Sequence, residues 1–547
     1  MSLILLSASA VFAALMLAAV LPLLQRTHRQ WSLRKIPGPA NASLISGNLG
    51  QILNPDATPF QEHLTATYGS MYRINGYLGE QMLVTSDINA LHHIIVKHVD
   101  TFDTAEFFLT ITRLLWGSNL TSSPLEGGKH RRHRKLMNPA FNIAHLKRLF
   151  PLFSSLSKKV RRVLAADIQR TGRAETDVVK YLGGLALELI AQGGFGTKVG
   201  VLEGTETSGT LDSILKRVAP ATGQLFKYQP LLPFLTRNFP PWLLRRVGQM
   251  IPNQALQEHF YISDKMQEFA MSVWTDKKRD HAEGKVSSSA ILGEGKDILS
   301  LLLEENDGSA LDDKLPENEI QAQINLFLFA GTDTTSNALS RILYMLALHP
   351  QVQDKLREEL INAGAPDGDA SYESLDRLPY LEAVCRETLR LFPPVRFLRR
   401  CAREDHVLPL REAFTDSTGT LQTEVFVPKG TTILCNIAAV NTDTSIWGED
   451  ARDWKPERWL SDSPHTDARV PGVYSNILTF AGGARSCIGF KFSLLEMKAV
   501  LAQFIPTFKF DPPPENKEIV WRFAGIIAPS VSSEGNKAQL PLRVSCL

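Results

Sequence analysis

Cysteine is scarce: the chain of 547 residues has five, Cys385, Cys401, Cys435, Cys487 and Cys546. Odd in number, widely spaced and without a C-x-x-C pair, they exclude a disulfide framework and a structural zinc site and fit a reducing compartment. Charge of one sign is missing too. The formal net charge is +2, so nothing in the composition resembles a nucleic-acid-binding surface. Internal repeats and extended linkers are absent, and no Gly-rich dinucleotide fingerprint occurs.

Charge is absent altogether from Leu3 to Leu24. This apolar run of about 22 residues, at about 1.5 Å each, reaches roughly 33 Å, enough to cross a bilayer core. It predicts a transmembrane anchor over residues 1–25. Arg26, Arg29, Arg34 and Lys35 follow it and no charged side chain precedes it, which places the rest of the chain in the cytoplasm. A cleaved signal peptide fits less well, because the run exceeds the usual h-region of about 7–15 residues and lacks a basic n-region. The sequons Asn41-Ala42-Ser43 and Asn119-Leu120-Thr121 would be glycosylated only in the opposite orientation. Ile36-Pro37-Gly38-Pro39 closes a basic, proline-stiffened hinge over 26–40, and residues 41–547 read as one large domain.

Within that domain helical periodicity dominates, predicting helices over 55–68, 86–98, 127–137, 144–171, 178–192, 252–283, 315–347, 351–362, 378–391 and 487–504. Strand-like runs are few: 71–74, 82–85 and 432–435. Glu283–Gly295, Ala363–Ala370 and Thr415–Thr423 read as surface loops. The expected fold is mainly α with small β-sheets.

Four stretches carry chemistry. Phe480–Phe490, FAGGARSCIGF, offers Cys487 in a loop that Gly482, Gly483 and Gly489 make pliable. Arg485 adds a fixed charge, and a helix N-terminus at Cys487 would lower the thiol pKa. In the predicted 315–347 helix, Gly331-Thr332-Asp333-Thr334-Thr335 interrupts an apolar run. Either these polar groups face solvent or bond back along the helix, or Gly331 opens room for a ligand and Asp333 with Thr334 relays protons to it. Glu387 and Arg390 share a helix face, an ordinary i,i+3 pair in isolation, but Arg458 in Lys455-Pro456-Glu457-Arg458-Trp459 is placed to complete a three-residue network. Lastly, His130 and Arg134 lie on one face of the basic helix around His130–Lys135, with Arg131, Arg132 and Lys135 on its solvated side.

In this order the four stretches resemble the cytochrome P450 family of haem-thiolate monooxygenases, and the overall look is similar to fungal microsomal members, especially those of mushroom secondary metabolism. F-x-x-G-x-R-x-C-x-G matches at Phe480, Gly483, Arg485, Cys487 and Gly489; A/G-G-x-D/E-T-T/S through Ala330, Gly331, Asp333, Thr334 and Thr335; and E-x-x-R at Glu387 and Arg390. The resemblance implies haem b with Cys487 as axial thiolate and metal ligand. It further implies propionates held by Arg485, Arg134, His130 and Arg400, with Arg399 as competitor for the last role, and proton delivery by Asp333 and Thr334. His130 stands where the family usually has tryptophan, and Trp459 where it usually has phenylalanine; Trp459 is expected to pack as the usual aromatic does.

The implied activity is hydroxylation or further oxidation of a lipophilic small molecule, a terpenoid or other secondary metabolite, at the endoplasmic reticulum membrane. Electrons would come from a separate NADPH-cytochrome P450 reductase, with Arg131, Arg132 and Lys135 as a contact surface. Oxygen-independent isomerases or dehydratases of the family often lack the acid-threonine pair, and a haem sensor or electron carrier would not need it. Tyr228–Ile251, apolar and basic, reads either as a core connection or as a segment dipping into the membrane. Phe107, Phe108, Ile111, Leu114, Leu115, Phe327, Val395 and Phe397 are pocket-wall candidates that could equally be core.

Overall fold

The computed structural model describes residues 29–172, 175–203, 206–229, 231–283, 296–365, 371–460 and 468–547. The expected anchor over 1–25 lies outside them, as do most of the 283–295 loop and residues 366–370. Among the described residues no helix is long and apolar enough to cross a membrane.

A helix of 32 residues, Glu317–Leu348, runs through the core. Ile320, Ile324, Leu328, Leu339, Ile342 and Leu346 are all buried along it, and apolar residues all round a helix require neighbours on every side. The helices Val178–Leu189, Gln254–Ala282, Pro379–Leu391 and Phe490–Phe504 supply them. Glu317 and Glu319 in its first turn complement the helix dipole. The expected long helix after Ala144 starts at Ile143, where the Asn142 side chain accepts from His145 N–H at 2.8 Å, and ends after Thr171 at Gly172, whose φ of 61° is left-handed.

Strands Met71–Asn75, Gln81–Thr85, Thr432–Asn436, Phe397–Ala402 and Phe102–Thr104 form one sheet in that spatial order. Alternation along Phe397–Ala402 sends Arg399 and Arg400 to opposite faces, and Arg400 pairs with Thr104 in the neighbouring strand. The Pro-Gly-Pro segment lies along this sheet: Arg73 N–H donates to the Pro37 carbonyl at 2.9 Å, and a Cβ on Gly38 would strike the Arg73 backbone.

Three expectations are corrected. Thr415–Thr423 is the end of a hairpin, His406–Thr415 paired with Leu421–Val427, because Asp416 gathers the N–H groups of Thr418 and Thr420 into a tight turn. Helices Glu106–Trp116, Glu206–Leu225 and Ile298–Asp307 were not expected. The C-terminal helix starts at Phe490 with Gly489 as its N-cap, so Cys487 stands in the loop before it. Asn119 is buried, its side-chain oxygen accepting from Thr121 and Ser122 N–H, which leaves exposed Asn41 as the usable sequon for a topology test.

Candidate active site

The cysteine loop is clamped by backbone. Gly483 has φ of 61° and, with Gly482, packs so closely that a Cβ on either would collide with the carbonyls of Ile95 and Pro471 respectively. Cys487 N–H donates to the Phe480 carbonyl at 2.9 Å, and the Phe480 ring is held between Tyr474 and Phe490, centroids 5.8 and 5.9 Å away. No protein neighbour requires glycine at Gly489, where a Cβ would meet only the Phe141 ring at 3.9 Å.

Cys487 is accessible, yet it is enclosed deeply enough that desolvation raises its thiol pKa, against the Gly489 N–H and Arg134. The expected lowering is therefore corrected: burial outweighs the Gly489 N–H and the Arg134 charge, and the helix starts only at Phe490. A side chain both enclosed and accessible lines an internal space. Phe141, beside Gly489, meets Phe327 edge-on at 5.4 Å between centroids, one turn before Ala330 and two turns before Thr334 on the long helix.

Cations gather around the loop. Arg134 donates to the Ser486 carbonyl at 3.0 Å, and Arg485 donates to the Ser123 carbonyl at 2.8 Å while pairing with Asp103 at 2.5 Å. Buried Arg400 and half-buried Arg403 add like charge near Arg485. His130 is buried; desolvation, Arg485 and Arg134 push its imidazole down to about 3, so it stands neutral. Arg400 has only a 3.3 Å bond from Nη1 to the Arg399 carbonyl, and its Nε and that of Arg485 have no hydrogen-bond partner among the described residues. Arg399 faces away, donating to Gln229 at 3.1 Å and lying over the Phe226 ring. Asp103, which the sequence reading did not single out, accepts from Leu125 N–H at 2.9 Å and is the acid against which Arg485 is set. Only its pairing across the sheet places it there. Buried guanidinium groups with spare donors beside an accessible thiol fit haem: the sulfur would supply the ligand and the cations would meet the carboxylates of the porphyrin edge.

On the long helix, Thr334 Oγ1 donates to the Ala330 carbonyl at 2.8 Å. Asp333 turns another way, accepting from Asn337 at 3.3 Å. Burial pushes its carboxyl up to about 7, opposed by Lys216 and the Asn337 bond and reinforced slightly by Asp212. Lys216 and Asp212 are themselves paired at 2.8 Å. Gly331 does not open ligand space: a Cβ there would meet Ile190 at 3.1 Å, so the glycine lets the long helix approach the π-turn Ile190–Gly194.

Glu387, Arg390 and Arg458 come together as one buried network. Arg390 grips both Glu387 oxygens, at 2.8 and 2.7 Å, and Arg458 Nε reaches the same carboxylate at 3.3 Å. Backbone carbonyls of Asn441, Ala451, Trp447, Asp450 and Asp453 take further guanidinium donors, and the Asp450 carboxylate accepts from Arg458 at 2.7 Å. Trp459 does more than pack: its indole Nε1 donates to Glu387 at 3.0 Å, a bond phenylalanine cannot make.

The comparisons with known proteins agree with this geometry. The cytochrome P450 family model matches residues 37–529. Cytochrome P450 monooxygenase 219 of Postia placenta is 42% identical over 94% of this chain and 93% of its own. A ganoderic acid synthetase of Ganoderma lucidum is 37% identical over 94% of each chain, and a cytochrome P450 monooxygenase of Hericium erinaceus is 34% identical over 99% of this chain and 98% of its own. The chain belongs to the cytochrome P450 family, and is an oxidoreductase of the monooxygenase type whose cofactor is haem b on an axial cysteine thiolate.

Proposed function

We propose that this protein is a membrane-associated monooxygenase that hydroxylates or further oxidises a lipophilic small molecule, a terpenoid or related secondary metabolite, with electrons from NADPH through a separate reductase. The observation that carries the reading is the placement of Cys487 and its cation cluster next to a helix bearing a hydroxyl, Thr334, and a carboxyl that titrates near neutrality, Asp333. Haem bound through Cys487 supplies oxygen activation. Arg134, Arg400, Arg485 and neutral His130 hold and orient its carboxylate edge, while Phe480 and Gly483 keep the sulfur in place. Asp333 takes a proton from the side of Lys216 and Asp212 and releases it inward, which a carboxyl near pH 7 does at little cost. The Thr334 hydroxyl, which rests on the Ala330 carbonyl, would turn to hydrogen-bond at the reaction centre and so position the group that receives that proton.

Access from a membrane is supported by exposed apolar surface. Tyr228–Ile251 folds into two short helices, Leu232–Asn238 and Pro241–Met250, leaving Leu231, Trp242, Val247, Met250 and Ile251 exposed, with Trp242 at 68% and Met250 at 83%. Such exposure supports the membrane reading of this segment over a core connection. Leu44, Ile45 and Leu78 form a second exposed apolar tip, where Leu78 N–H donates to the Ile45 carbonyl at 2.8 Å. The Tyr77 hydroxyl ties that tip to the Phe226 carbonyl at 2.8 Å, next to the first segment. Ganoderic acid synthetase among the relatives favours a terpenoid-class substrate. For the reductase, exposed Arg131 is the foremost contact, because Lys135 already donates to Asp313 at 2.7 Å.

The test is microsomal expression with a fungal reductase, screening terpenoids for a haem spin-state shift and then for oxygenated products. Thr334→Ala is expected to divert consumed NADPH into peroxide. Unchanged coupling would remove Thr334 from the relay, and turnover without oxygen would sink the proposal in favour of the isomerase reading.

A further inference from the structure

Away from this site three imidazoles converge. Ring nitrogens of His93, His98 and His406 lie within 4.8 Å of one another. His93 begins the π-turn His93–Lys97 and His98 follows it; the His98 N–H donates to the His93 carbonyl at 2.8 Å, which brings the rings to 5.3 Å between centroids. His406 opens the hairpin strand, its ring 4.5 Å from that of His98 and backed edge-on by buried Phe102 at 5.2 Å. All three are half-buried, and His93 Nδ1 is buried with no hydrogen-bond partner among the described residues. An orphaned buried nitrogen carries a desolvation cost, and ring contacts among the three imidazoles do not repay it.

We propose that His93, His98 and His406 form a binding site for a late first-row divalent cation of the zinc class. Three neutral imidazoles are a donor set such ions take, with water in the remaining position. The set contains no carboxylate, which disfavours calcium and magnesium. Tetrahedral ligation at about 2.0–2.1 Å places nitrogens about 3.4 Å apart, a closure that side-chain rotation supplies. Burial first, then Lys97 for His93 and His406 for His98, holds these two rings below the ordinary imidazole value, leaving lone pairs free at neutral pH. The charges facing the cluster are mixed: Lys97 and exposed His92 oppose a cation, and Glu404, on the approach to His406, favours one. Between His93 and His98 lies Ile95, whose carbonyl abuts Gly483. A bound ion therefore braces the segment that backs the cysteine loop.

The experiment uses the haem-loaded full chain, stripped of adventitious metal and equilibrated with Zn2+. The expected result is about one tightly bound Zn2+ per chain and a thermal midpoint raised by about 1 °C or more. His98→Ala and His406→Ala should each weaken binding by more than about 100-fold, beyond what loss of a supporting outer-shell group costs, whereas His92→Ala should bind as the parent does. Zn2+ X-ray absorption on the unsubstituted protein covers the case in which a variant misfolds, and should show three imidazole nitrogens. No binding up to about 1 mM, binding untouched by both substitutions, or a metal shell without imidazole overturns the site.

Discussion

Asp333→Asn separates stability from catalysis. Asparagine preserves the side chain's shape and its bond to Asn337 but cannot ionise. Burial has moved the Asp333 carboxyl from 3.8 to about 7, so between those values the native protein holds a proton that the unfolded chain has released. Stability therefore falls as pH rises through that window, and above it the whole cost of an ionised buried carboxylate remains. At about 1.4 kcal/mol per pH unit the shift corresponds to roughly 4 kcal/mol, and solvent reaching the partly accessible side chain reduces this to about 2–4 kcal/mol. The variant is expected to be more stable than the parent at pH 8, with a much smaller gain at pH 5, and to lose most product formation because the proton carrier is gone. Thermal midpoints of parent and variant holoprotein at one scan rate, at both pH values, provide the readout, alongside product and peroxide yields. Equal stability changes at the two pH values would refute the burial argument, and retained coupling would refute the relay.

Glu387→Ala leaves Arg390 buried without its carboxylate and Arg458 with that of Asp450 alone, and should cost about 3–5 kcal/mol, seen as loss of folded haem-loaded protein on expression. Trp459→Phe keeps an aromatic ring but strands one Glu387 lone pair, so a loss of about 1–3 kcal/mol is expected in the thermal midpoint; an unchanged midpoint would return Trp459 to mere packing. Arg400→Gln should weaken haem retention measured by transfer to apomyoglobin, whereas Arg399→Gln, on the other face of the strand, should not.

Much of the site was legible because its chemistry is local in sequence. The cysteine loop, the acid-threonine turn and the Glu387–Arg390 pair each sit within a few residues, and the Pro-Glu-Arg element announces the third partner. Long-range pairing was harder to read. Asp103 meets Arg485 only because two strands juxtapose them, His93 and His406 are far apart along the chain, and Gly331 serves a contact with Ile190 that no local pattern encodes. The two-residue distance between Cys487 and its helix's N-cap, Gly489, likewise turns on backbone geometry, and the burial that raises the thiol pKa is a tertiary effect. Exposed hairpin strands such as Leu421–Val427 escaped because their turn residues and polar faces look like loop.

The central claim is that Cys487 is the thiolate that holds haem iron. Carbon monoxide added to the dithionite-reduced, haem-loaded protein tests it most directly, in the parent and in Cys487→Ser. The parent should give the strongly red-shifted Soret band of a thiolate-ligated carbonyl complex, and the variant should lose it. A parent spectrum of the imidazole type, or a red-shifted band that survives removal of Cys487, would contradict the account.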